Sequence, residues 1–192
     1  MFGQDLEEVA EFVGLEGTGR MPLPPGELIE KWVNVLRAAQ RFLGHLPSAK
    51  LNERVIASRD RSIRLLCHHV FRIGEAFLEA AEDGVEYTAQ LATVPPEDGT
   101  CTTADEIGRY GDAVIARLER WWADLADRSC AQEVKTFYGR QPLHRLLERS
   151  TWHSAQHVRQ LTAVLERLGL EPNGRLTPED LARLPLPERL WE

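Results

Sequence analysis

Apolar positions recur at helical spacing in four long stretches of the chain. Leu28, Ile29, Trp32, Leu36, Ala39 and Leu43 form one stripe, which predicts a helix opening near Pro25 and stopping near Gly44. Ile63, Leu66, Val70, Ile73 and Phe77 form a second, over about 60–82. A third begins at Thr103, where Thr103-Ala-Asp-Glu106 has capping-box spacing, and continues through Ile107, Val114, Leu118, Trp121 and Leu125. The fourth runs over 142–168, with Leu146, Leu161, Val164 and Leu168 on one face and Gly169 as its C-terminal stop. Gly- and Pro-rich segments at 14–26 and 83–101 read as surface loops, and 130–140 as a short extended stretch or a turn. A short amphipathic helix is expected at 5–13, and Thr177-Pro-Glu-Asp180 marks another helix start before Leu-Pro-Leu-Pro at 184–187. The expected fold is all-α: one domain over 1–192, a four-helix bundle with its core at about 26–169, and short helical extensions at both ends.

Composition narrows the function. The 192 residues carry a formal net charge of −7 with arginines scattered, whereas nucleic-acid binding needs a basic face. No run of about 18 apolar residues offers a membrane span. The acidic start, MFGQDLEEVAEF, lacks the basic and apolar parts of a secretory signal. Cys67, Cys101 and Cys130 form no CxxC pair, which fits reduced thiols in a bacterial-type cytoplasm.

Helix bundles place metal sites between facing helices, so the six histidines carry the chemical argument. His153 and His157 are spaced i, i+4, only about 40° apart around a helix, and share the apolar face of the fourth helix. On the second helix, His69 lies roughly 75° from the centre of the stripe at about 100° per residue. It can face the interior, while His68, nearly opposite, faces solvent or a partner. Two imidazoles on one helix and a third on a facing helix match a known zinc arrangement with one open position. A buried histidine is more often a satisfied core residue. Burying three without partners, however, is costly. His45 beside Gly44 complements a helix end, and His144 lies exposed in a first turn.

The string Ser62-Ile-Arg-Leu-Leu-Cys-His-His-Val-Phe-Arg-Ile-Gly-Glu-Ala-Phe-Leu78 resembles the second helix of the DinB-like superfamily, and Thr151-Trp-His-Ser-Ala-Gln-His-Val-Arg-Gln-Leu161 resembles its closing HxxxH helix. The resemblance covers roughly 26–169. It implies an up-down-down-up bundle and a single divalent ion, zinc first, then nickel or another transition metal, held by His69, His153 and His157. Relatives include transferases and isomerases dependent on mycothiol or bacillithiol, which implies a low-molecular-weight thiol and a small-molecule substrate. Some thiol-transferase members place a Glu among the ligands where this chain has His. The tail ending Leu-Pro-Leu-Pro-Glu-Arg-Leu-Trp-Glu looks like a subgroup joined to glutaredoxin-like domains, and so implies a glutaredoxin-like partner. A homodimer is the expected assembly.

Three neutral imidazoles leave a bound ion its full charge, which lowers the pKa of a ligating thiol or water. Thiol transfer, hydrolysis and a non-catalytic metal-binding or stress-response module therefore all remain open. No proton shuttle is identifiable: Glu75 and Glu79 read as exposed helix carboxylates. Gln160 either orients a ligand or satisfies a backbone group. Tyr138 and Trp152 either wall a pocket or pack as ordinary aromatics. Cys67 points about 200° away from His69. GxSxG, Walker and GxGxxG motifs are absent.

Overall fold

A computed structural model describes residues 22–54 and 61–191. The helix expected at 5–13 and the start of the second helix near Asp60 lie outside the described residues. The fold is mostly helical. Among the described residues four long helices form: α1 Pro25–Leu43, α2 Ile63–Glu82, α4 Ala104–Asp124 and α5 Leu143–Arg167. Two short ones, α3 Ala89–Thr93 and α6 Pro178–Leu181, lie between and after them.

The boundaries follow local chemistry. Pro25 opens α1, where a missing N–H costs nothing. The Ser62 hydroxyl accepts the Leu65 amide at the start of α2. Thr103 and Glu106 form a full capping box on α4, and Thr177 and Asp180 another on α6. After α5, Gly169 adopts φ 72°, the left-handed conformation in which glycine ends helices at least cost.

The principal helix contacts run α1–α5, α5–α2, α2–α4 and α4–α1, a closed circuit with the chain neighbours α1 and α2 across it. Their apolar faces meet in one core containing Trp32, Phe42, Phe71, Phe77 and Leu161. Enclosure is deepest on two helices. Residues 66–74 of α2 and 149–158 of α5 are buried without a break. A buried hydroxyl fastens three helices at this level: Trp32 Nε1 donates to Ser154 Oγ at 2.9 Å, and Ser154 Oγ donates to the Val70 carbonyl at 3.4 Å.

The segment expected as an extended stretch or a turn is a β-hairpin, β1 Glu133–Thr136 paired antiparallel with β2 Gly139–Pro142. The 83–101 segment differs from a plain surface loop. Tyr87 is fully buried, its amide donates to the Lys135 carbonyl (2.9 Å), and its carbonyl accepts from the Phe137 amide (3.0 Å). This backbone pairing, with the Arg72–Leu91 bond described below, holds α3 against α2.

Candidate metal centre

His69 on α2 and His153 and His157 on α5 converge. One ring nitrogen from each lies within 4.8 Å of the others, and all three side chains are buried. One turn of α5 separates His153 from His157, which brings their Nε2 atoms to 3.0 Å. The His69 ring meets both edge-on, with centroids 5.6 Å from His153 and 4.7 Å from His157. Tetrahedral zinc, with Zn–N bonds of about 2.0–2.1 Å, sets its donors roughly 3.4 Å apart, comparable with the His153–His157 spacing.

The protonation state suits a ligand role. Burial, above all, holds the His69 and His153 pKa values well below 6.5. The charge of His157 adds to this at both rings, that of Arg61 also at both, and that of Arg149 at His153. Both imidazoles are therefore neutral near pH 7, the form that binds metal.

Outer partners orient two of the rings, as is usual for metal-ligating histidines. His157 Nδ1 lies 2.8 Å from Gln160 Oε1. The His69 ring donates to the backbone carbonyl of Ala92, in α3. Trp152 packs beside His153, ring centroids 5.7 Å apart. The donor chemistry, the burial and these orienting contacts fit a divalent ion.

His68 departs from expectation. It is buried, 6% exposed, and stacks on Tyr110 of α4 with ring centroids 5.0 Å apart and planes 11° from parallel. A helical wheel assumes one covered face, but α2 is covered by α5, α4 and α3 on different sides. Desolvation pushes the His68 pKa down to about 4, against an opposing pull from the Glu75 carboxylate.

Glu75 and Glu79 are not free surface carboxylates either. Arg72 donates to Glu75 (2.5 Å) and in bidentate fashion to Glu79 (2.8 and 2.9 Å), and Tyr110 Oη donates to Glu75 (2.5 Å). The same guanidinium donates Nε–H to the Leu91 carbonyl at 2.9 Å, one residue before Ala92. This ion-pair network thus holds the segment whose backbone touches His69.

Remaining candidates fall outside the cluster. His144 is half-buried, not exposed, and its Nε2 lies 2.7 Å from the Leu23 carbonyl. His45 is exposed. The Cys67 thiol is buried and raised to about 12 by desolvation, so it is no thiolate ligand. Tyr138 lies against Arg149, which is boxed by the rings of Tyr87, Phe137 and Tyr138 at 5.7–5.9 Å.

Arg72, Tyr110, Arg149 and the Ala92 backbone are the surroundings that sequence reasoning missed. Arg72 lies about 130° from the centre of the apolar stripe on a helical wheel, so the stripe gave no signal for it. A backbone group leaves no signal.

The site is therefore of a recognisable class: three buried imidazoles from two facing helices, able to hold one metal ion. Compared with family models, curated proteins and solved structures, the chain matches none. Among the described residues no helix is long and apolar enough to cross a membrane.

Proposed function

We propose that the chain is a divalent-metal-dependent enzyme on a DinB-like four-helix bundle of up-down-down-up connection, which activates a low-molecular-weight thiol for transfer to a small electrophile. The observation that carries this reading is the convergence of His69, His153 and His157 with one donor atom each. The closed circuit of four long helices, with α1 and α2 on a diagonal, supports the bundle. It requires the 83–101 segment to cross between α2 and α4.

His69, His153 and His157 would hold the ion, zinc first among the candidates. When bound, it supplies a positive charge that lowers the pKa of a ligating thiol. The chain's own contribution is threefold. Burial keeps the His69 and His153 imidazoles neutral. Arg61 and Arg149 add positive potential felt at His69 and His153, which favours an anionic sulfur over a neutral one. Gln160 and the Ala92 backbone fix the rings.

The test is metal analysis of purified protein, followed by an activity screen of zinc- and nickel-loaded protein with several low-molecular-weight thiols and electrophiles. Thiol-dependent turnover that disappears in His153→Ala is the expected result. Turnover with water alone would make the protein a hydrolase. Tight metal with no turnover would make it a binding module.

A further inference from the structure

The segment at 187–191 lies along α5 beside the histidines, and its backbone is held by side chains of that helix. Gln156 Nε2 donates to the carbonyls of Arg189 (3.1 Å) and Leu190 (3.0 Å). Arg159 donates to the Pro187 carbonyl (3.0 Å) and to Gln156 Oε1 (2.7 Å). Gln160 Nε2 donates to the Leu190 carbonyl at 2.9 Å. Arg167 covers the Trp191 ring, 5.2 Å from its centroid. Pro185 and Pro187 have no N–H and a fixed φ, so the strap is stiff and rich in acceptors, facing a helix rich in donors. Gln156 and Gln160 are both buried, at 6% and 3% exposed, and there an unmade hydrogen bond is costly.

Gln160 is also the residue that touches His157. Its two amide atoms cannot exchange roles. The Leu190 carbonyl only accepts, so the Gln160 nitrogen must face it. The Gln160 oxygen therefore faces His157, and because that oxygen only accepts, His157 must carry its proton on Nδ1. The lone pair then sits on Nε2, the nitrogen 3.0 Å from His153 Nε2.

The geometry points to the strap at 187–191 as an outer element of the metal centre, acting through Gln160 as a positioning residue that sets the tautomer of His157. This deepens the metal-site reading and rests on it. A carbonyl on a distant stretch of chain selects which imidazole nitrogen is available to an ion, and Gln156 and Arg159 keep that carbonyl in place.

The experiment uses full-length wild type, Gln160→Leu and Gln160→Glu, with circular dichroism to show that each is folded. In chelator-treated protein near pH 8, histidine side-chain ¹⁵N spectra report the tautomer of His157. Zinc affinity is measured by competition with a chromophoric chelator, and amide exchange reports the strap.

Wild type is expected to show the Nδ1–H form. Gln160→Leu loses that preference, and its zinc affinity falls about ten- to a hundredfold, the usual range for outer-shell substitutions. Gln160→Glu still accepts from Nδ1–H but cannot donate to Leu190. It therefore keeps the tautomer and zinc affinity within about threefold of wild type, while exchange in 187–191 speeds up. An Nε2–H form in wild type, or a Gln160→Leu variant with unchanged tautomer and affinity, overturns the proposal. Failure of the metal reading is distinguishable, because the tautomer spectrum is read without metal.

Discussion

Burying neutral imidazoles ties the stability of the metal-free protein to pH. His69 and His153 have pKa values held well below 6.5, chiefly by desolvation, whereas in an unfolded chain histidine titrates near about 6.5. Below that value the unfolded chain binds protons that the folded chain refuses. The stability contributed by each buried histidine is thus full above about pH 6.5 and is lost as pH falls. Between about pH 7.5 and 5.5 the loss is about 1.4 kcal/mol for each histidine, or about 3 kcal/mol for the two. That is a large share of the roughly 5–15 kcal/mol that holds a domain folded. His68, pushed down to about 4 by desolvation, acts in the same direction. Carboxylates titrate near about 4 in the unfolded chain, below this window.

The assay is urea unfolding of chelator-treated protein, followed by tryptophan fluorescence. With a urea slope of about 1–3 kcal/mol per molar, the midpoint should fall by about 1–3 M between the two pH values. His69→Leu should remove about half of the fall. A wild-type midpoint that moves by less than about 0.3 M, or a His69→Leu variant with an undiminished pH response, would refute the reasoning.

Three further outcomes are expected. His69→Ala and His157→Ala should each lose most of the bound zinc by elemental analysis, because two imidazoles hold an ion poorly, whereas His68→Ala should keep it; the reverse pattern would assign the ligand to the wrong neighbour. Chelation should leave the helical circular dichroism spectrum intact and lower the melting temperature, since the core of Trp32, Phe42, Phe71, Phe77 and Leu161 forms without the ion and metal adds stability by mass action. Gly111→Ala should destabilise by about 1–3 kcal/mol in urea unfolding despite alanine's helix preference, because its Cβ would lie 2.6 Å from the buried Phe71 ring.

The long helices were legible because their stripes and caps are local. α1 and α5 end within a residue or two of where Pro25, Gly44 and Gly169 place them. The pairing of His153 with His157 was legible for the same reason: i, i+4 spacing on a helix is geometry. His68 was misread because a wheel knows one buried face and α2 has several. The hairpin at 133–142 was ambiguous because Glu133-Val-Lys-Thr136 is too short and polar to show a period of two. Gln160 was narrowed to two roles, and the structure gives it both, one at each end of its amide. The partners at Ala92 and Leu190 were not legible at all, because every residue has a carbonyl and only the fold says which one arrives.

Ser154 has a practical consequence. Its hydroxyl fixes the height of α5 against α1 and α2 by joining Trp32 to the Val70 carbonyl, and Val70 and Ser154 are the immediate neighbours of His69 and His153. A slip of α5 by one turn would carry its histidines about 5.4 Å along the axis, beyond the reach of a shared ion, while leaving helix content and apolar burial nearly unchanged. Spectroscopic helicity is therefore blind to such an error, and a colorimetric zinc titration is not. On the metal-site reading proposed above, that titration, used on a library of core variants, would sort correctly aligned molecules from merely collapsed ones, making the centre a built-in gauge of assembly.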